Sequence, residues 1–158
     1  MKRPWNRTDL NIYSLATYNN KEINMNICTY VSVVNMNPKS YMVSIDYKTL
    51  TYENLNKKNT SFVLQCLSIN NINIIKNLGK KSGNNFNKLK YLSKNNLLSN
   101  WKNYPVLKNT CFLIELCNPK KVYEMKDHCM FVFQMKSFKN FDYKFLHFND
   151  LVNNKIIL

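Results

Sequence analysis

Apolar residues recur along the chain in short runs of strand length, separated by stretches rich in Asn and Lys. Leu10–Tyr18 (LNIYSLATY) is dense in β-formers. Ile23–Val34 (INMNICTYVSVV) alternates in part and ends at a turn-like NMNP, where Pro38 limits continuation. Tyr41–Asp46 (YMVSID) has the length of a short strand. Ser61–Leu67 (SFVLQCL) and Thr110–Cys117 (TCFLIELC) are apolar runs of strand length, and Cys129–Met135 (CMFVFQM) is the most apolar strand of all.

Two helices are predicted between these runs. Thr51–Lys57 (TYENLNK) has Thr49 or Thr51 as N-cap and Glu53 in its first turn. Ile69–Leu78 opens at Ser68 and places Ile72, Ile75 and Leu78 on one face. Gly79 follows where a left-handed residue commonly stops a helix. About six strands with two or three inserted helices predict a mainly β fold, a six-stranded antiparallel barrel with helices at its ends. A doubly wound sheet is excluded because Leu10–Tyr18 and Ile23–Val34 are joined too tightly for a crossover helix. With no repeat and no linker rich in Gly, Pro or Ser, residues 1–158 read as one domain.

Composition changes this picture in two places. The formal net charge of +14 points to a polyanion partner, and a basic β-barrel binding single-stranded nucleic acid through Lys and aromatic residues is one reading. The lysines are spread along the chain, however, and arginine, the better residue for bidentate contacts, occurs only at Arg3 and Arg7. The abundance of residues with A/T-rich codons gives a second source for the charge. The five cysteines (Cys28, Cys66, Cys111, Cys117, Cys129) show no CxxC spacing, and two histidines do not complete a zinc pattern. Most cysteines sit in apolar runs, which fits a reducing cytoplasm. MKRPWNRTDLN has no apolar region of a signal peptide, and no stretch approaches the roughly 18 apolar residues of a membrane span.

Candidate chemistry gathers in three stretches. Both glycines of the chain lie in LGKKSGNNFNKLKYL (Leu78–Leu92). A Walker A loop is excluded, since Lys81-Ser82 precedes Gly83 instead of following it, and GxGxxG is absent. Lys81-Ser82-Gly83 is either an anion nest or the turn after a helix. Lys48-Thr49-Leu50-Thr51 is either a simple N-cap or a phosphate site built of hydroxyls, a cation and a helix start. His128, in KDHCMFVF, is either a structural residue or a hydrogen-bonding group at a pocket mouth. No carboxylate pair and no Ser-His-Asp set is recognisable from spacing.

The order of these pieces, from RPWNRTDLNIYSLATY through NMNICTYVSVV, YKTLTYENL, FVLQCL, LGKKSGNNFNKLKYL and YPVL to DHCMFVF, resembles the flavin reductase-like family, the FMN-binding split barrels. The likeness covers nearly all of residues 1–158. It implies a six-stranded split barrel, a homodimer, and FMN held noncovalently near the subunit interface. It further implies flavin reduction by NADH or NADPH, or electron carriage without a nicotinamide site. Carried over residue by residue, Asn26 and the backbone around Cys28, Thr29 and Tyr30 face the flavin ring. Lys48, Thr49 and Thr51 hold the phosphate. Lys81, Ser82 and Gly83 shape a loop from which Lys88 reaches the cofactor. His128 sits where nicotinamide or substrate approaches, and Phe148 covers the ring. The chain departs from the family pattern at KSGNNFNK, where many members carry an Arg and acidic residues after the glycine, and at Tyr30, where they carry a small residue. Flavin supplies redox chemistry itself, so the absence of a nucleophile or acid–base pair agrees with the resemblance.

Overall fold

A computed structural model describes residues 4–20 and 22–157. Met1–Arg3, which begin the segment expected to lack a signal peptide, lie outside the described residues, as do Lys21 and Leu158. In chain order the elements are β1 (Tyr13–Asn19), β2 (Glu22–Met25), β3 (Val31–Met36), β4 (Lys39–Asp46), α1 (Leu50–Leu55), β5 (Ser61–Cys66), a 3-10 segment (Ile69–Ile74), α2 (Ile75–Gly79), α3 (Lys88–Lys94), β6 (Leu98–Trp101), β7 (Tyr104–Leu107), β8 (Phe112–Glu124), β9 (His128–Asn140) and α4 (Phe148–Asn153). The architecture is mainly β and antiparallel, with few helices.

Seven strands form one sheet in the order β2-β1-β5-β8-β9-β4-β3, and β6 and β7 pair separately as a hairpin. The edge strands β2 and β3 are joined by Asn26–Tyr30 alone. Such a short link reaches about 20 Å at full extension, so the sheet must curl until its edges nearly meet. Cys28 lies in this seam and exchanges two backbone hydrogen bonds with Tyr13, each 2.9 Å long.

The curl explains the apolar runs. β5 sends Phe62 and Leu64 into a core inside the barrel with Leu15, Val43, Ile114, Phe131 and Phe133. Its alternate residue Val63 joins a second core under the helices, with Ala16, Leu67, Ile75, Leu78, Leu92 and Leu151. Both faces of β5 are covered, so its sequence cannot alternate. Inside the barrel, Phe62 and Phe133 meet edge to face at 5.4 Å.

Three expectations are corrected. Ile23–Val34 is two strands, because the Asn26 side chain takes over strand pairing: its Oδ1 accepts the Leu15 amide at 2.8 Å. Ile69–Leu78 is not one α-helix; it begins as a 3-10 segment, which Ser68 caps together with Asn71, and becomes α2 at Ile75. Gly79 is the last residue of α2 and is not left-handed, since no glycine has positive φ. The left-handed positions fall instead on six asparagines (Asn20, Asn59, Asn96, Asn103, Asn109, Asn118) and on Lys102 and Lys155. Asn tolerates this region because its short polar side chain bonds locally. The β8–β9 hairpin also runs beyond the predicted limits, carried past Asn118 and Pro119 by bulges.

Candidate functional site

A cavity of about 470 Å³ opens beside the barrel seam. Its wall is built from the β2–β3 link, the end of β4, the start of α1, the end of α2, the loop after it, and the C-terminal segment beyond α4. All thirteen residues singled out from the sequence line it: Asn26, Cys28, Thr29, Tyr30, Lys48, Thr49, Thr51, Lys81, Ser82, Gly83, Lys88, His128 and Phe148. Residues up to 133 positions apart in sequence, from Asn24 on β2 to Ile157 near the C-terminus, thus share one concave surface.

The polar end is set by α1 and the glycine-containing loop. Thr49 caps α1 by accepting the Tyr52 amide at 3.2 Å, and it donates its hydroxyl proton to the Asp46 carbonyl at 2.7 Å. Its hydroxyl therefore serves the turn first. Thr51 is fully buried and accepts from Asn24 Nδ2 at 3.0 Å, which leaves its hydroxyl proton uncommitted among the described residues. With only six residues, α1 has little macrodipole of its own, so anion binding here falls to side chains and first-turn amides. The Lys48 amide bonds Asp46 Oδ1 at 2.8 Å and fixes the turn.

Lys88 is the buried cation of the site. It is 6% exposed, and its ammonium donates to the Leu78 carbonyl at 2.7 Å. Burial pushes it down to about 8, because no carboxylate is paired with it among the described residues. Lys80 and Lys81 also line the cavity, and the Lys81 ammonium lies 4.4 Å from the centre of the Phe86 ring.

Gly83 is explained by space. A Cβ there would overlap Asn24 Oδ1 and lie 2.9 Å from Leu50 Cδ2. Asn24 Oδ1 is buried without a hydrogen-bond partner among the described residues. An orphaned acceptor of this kind at a cavity wall is a place for a ligand hydroxyl.

The other end is apolar and aromatic. Ile27, Ile45, Leu78, Phe148, Leu151 and Ile156 contribute to the wall. In the seam, both backbone groups of Cys28 are spent on Tyr13, and the Tyr30 carbonyl accepts from Ser44. The amides of Thr29 and Tyr30 remain without a protein acceptor among the described residues. Burial holds the Cys28 thiol at about 12, so it is a packing group and not a nucleophile. His128 stands at the mouth, with Nδ1 2.8 Å from Asp127 Oδ1 and its ring edge-on to Tyr30 at 5.8 Å.

Sequence reasoning passed over Asn24 and the apolar wall from Leu151 to Ile157. Asn24 carried a signal: with Asn26 it forms an N-x-N step, which puts two amides on one side of a strand amid apolar neighbours.

The flavin reductase like domain matches residues 10–151. No curated protein matches the sequence. Solved structures match in fold. A flavoredoxin from Methanosarcina acetivorans is 17% identical, with a TM-score of 0.71 over 85% of this chain and 70% of its own. An FMN-binding protein from Thermus thermophilus with bound p-hydroxybenzaldehyde is 17% identical, with a TM-score of 0.75 over 90% and 78%. An NADH:FAD oxidoreductase from Streptomyces globisporus is 9% identical, with a TM-score of 0.76 over 92% and 84%.

Proposed function

The chain belongs to the flavin reductase-like domain family, and from that membership we propose that it is an NAD(P)H-dependent flavin oxidoreductase whose cavity holds the FMN moiety of a flavin. The observation that carries this reading is the convergence of the thirteen residues on one cavity with an apolar end and a cationic end.

The residues present fit the group. Lys88 is a buried cation with no protein anion among the described residues, Asn24 Oδ1 is an acceptor in want of a hydroxyl, and Gly83 lets the loop pack tightly against Asn24 and Leu50 in the cavity wall. A phosphate beside Lys88 would supply the missing charge, and the Thr51 hydroxyl and Ser82 stand in the same wall. Lys48 and Lys81 add positive potential, and Thr49 holds the turn that carries Lys48. Asn26 Nδ2 and the amides of Thr29 and Tyr30 are the donors for the polar edge of the ring. Phe148 and the C-terminal aliphatic residues cover its apolar part. When bound, the flavin supplies hydride acceptance from a nicotinamide and onward electron transfer. His128, at the cavity mouth and oriented by Asp127, positions the incoming nicotinamide or acceptor.

A second copy of the chain completes the proposal. Val33, Val34 and Met36 on edge strand β3 and Phe138 on β9 are exposed, and an apolar groove of about 310 Å³ lies between Val33, Tyr41, Phe112 and Phe138. A face of this kind continuous with the Tyr30 side of the cavity is suited to a homodimer. The five thiols are unpaired, which suits the reducing cytoplasm. Among the described residues no helix is long and apolar enough to cross a membrane.

The test is a visible absorption spectrum of the purified protein, followed by anaerobic addition of NADH and of NADPH. Flavin bands that bleach support the reductase. Bands that persist support an electron carrier without a nicotinamide site. A protein that takes up no flavin, yet binds oligonucleotides with steep salt dependence, overturns the proposal.

A further inference from the structure

A net charge of +14 attracts any polyanion without saying where one would lie. One stretch of surface does. Residues 138–145 (FKNFDYKF) run from the end of β9 onwards, and every one of them is exposed. Phe138 belongs to the apolar groove given above to a second copy. Phe141, Tyr143 and Phe145 line neither that groove nor the flavin cavity. They are 37%, 40% and 39% exposed. Large apolar rings gathered on a free surface mark a place of contact.

The run is held from behind. The Phe141 amide donates to the Cys111 carbonyl at 2.8 Å, the Leu146 amide donates to the Leu67 carbonyl at 3.0 Å, and the Lys144 carbonyl accepts the Ile69 amide at 3.0 Å. Phe145 bridges Ser68, and His147 bridges Asn11. The rings therefore stand on a fixed rail, ordered by folding and not by binding. Alternate residues of an extended chain project to one side, about 6.6 Å apart. Phe145 and His147 show this spacing, with ring centres at 6.3 Å. It is close to twice the repeat of about 3.4 Å between stacked bases, so each ring can take one base on its face.

Cations alternate with the rings. The Lys139 ammonium lies 5.2 Å from the centre of the Phe141 ring, and Lys144 comes between Tyr143 and Phe145 in sequence. Neither lysine pairs with a carboxylate among the described residues. Asp142 is the acid of the run and leaves it with a positive balance.

We propose that Phe141, Tyr143 and Phe145, with Lys139 and Lys144, form a platform for single-stranded nucleic acid, separate from the flavin cavity. Bases stack on the rings, and phosphates pass the lysines. Flat rings at a regular spacing match a strand of flat bases, whereas a folded acidic protein offers no such repeat. A duplex is a poor occupant, because its bases are already stacked on one another and present only their edges in the grooves.

The experiment is fluorescence anisotropy of labelled oligo(U), oligo(dT) and a DNA duplex of the same length, titrated with the full chain in the presence of FMN at rising KCl. The variants are Phe141→Leu with Tyr143→Leu, and Lys139→Gln with Lys144→Gln. The two single strands separate RNA from DNA as the source of the ligand. The proposal expects single strands to bind severalfold tighter than the duplex. It expects the aromatic pair to weaken single-strand binding at least about tenfold, the scale of one or two lost base stacks, with the salt slope unchanged. It expects the lysine pair to lower the slope of log affinity against log salt by about 1.4, at about 0.7 for each phosphate contact. Thermal midpoint and flavin content should stay at wild-type values, since these residues do not line the cavity and leucine keeps an apolar side chain at both aromatic positions. Aromatic variants that bind as tightly as the wild type, or a duplex bound as tightly as the single strands, reduce the effect to dispersed charge and overturn the proposal. Sedimentation shifted towards monomer in the aromatic variant, with oligonucleotide binding unchanged, assigns the run to a second copy of the chain and overturns it as well.

Discussion

The ammonium of Lys88 donates to the carbonyl of Leu78 at 2.7 Å, at the end of α2, with no acidic partner among the described residues. A buried charge held by one neutral acceptor is destabilising until an anion arrives. The unfolded chain keeps a lysine protonated to pH 10.5, whereas in the fold Lys88 loses its proton at about 8. The unfolded state therefore binds more protons between these values, and this group's contribution to stability rises with pH across that window. Below pH 8 the penalty is present in full.

Lys88→Met is accordingly expected to leave the flavin-free protein as stable as the wild type or more so, and to weaken flavin binding at least tenfold, about 1.4 kcal/mol. The gap in thermal midpoint between variant and wild type should narrow as pH rises above 8. Thermal melts from pH 7 to 10, with and without flavin, check both statements.

Gly83→Ala places a methyl group on Asn24 Oδ1 and against Leu50. Overpacking of this kind is expected to cost about 1–3 kcal/mol. Because Asn24 and Leu50 line the cavity, flavin retention on gel filtration should fall with it. A variant with unchanged melting and unchanged flavin content would remove the spatial reason for this glycine.

His128→Ala is expected to keep its flavin, since the ring stands at the mouth and its Nδ1 pairs with exposed Asp127. The rate of anaerobic reduction by NADH should fall while flavin affinity stays within about twofold, under half a kcal/mol. Stopped-flow absorbance gives the rate, and titration gives the affinity.

Away from the site, Glu115 on β8 is the acid of the fold. Burial pushes it up, but hydrogen bonds from Lys136, Ser137 and Lys102 outweigh this and hold it down at about 2. A depressed carboxyl contributes stability above its ordinary value of 4.5 that is lost as pH falls towards 2. Glu115→Gln is expected to lose about 1 kcal/mol at neutral pH, a modest figure because both lysines are half exposed. Urea melts at pH 7 and pH 2.5 should show the difference at the first and its near absence at the second.

The strands and the site were legible in the sequence to different depths. β5 and the first half of β8 announce themselves because burial on both faces leaves uninterrupted apolar runs, and β9 because apolar residues also occupy its partly exposed face. α1 was legible through Thr49, whose capping bond is present. The break at Asn26–Tyr30 was not, because it depends on an asparagine side chain replacing a strand carbonyl at Leu15, a contact eleven residues away. α3 and the β6–β7 hairpin were missed because Asn and Lys at their exposed positions mask the periodicity. The cavity followed from the order of motifs, whereas Asn24 and the wall at Leu151 and Ile156 become visible only once the C-terminal segment packs beside the seam.

Most left-handed positions of this chain are asparagines, and Gly83 is spent on close approach. That division leaves unclaimed thermal headroom. Asparagine meets less of the left-handed penalty than other residues with a Cβ, and glycine meets none, though glycine loses more chain entropy on folding. Asn20, Asn59 and Asn103 lie in turns outside the cavity, so glycine at each would meet no backbone penalty there and would not touch the site. The chain's stability can thus be tuned at three turn positions, none of which alters the chemistry of the cavity.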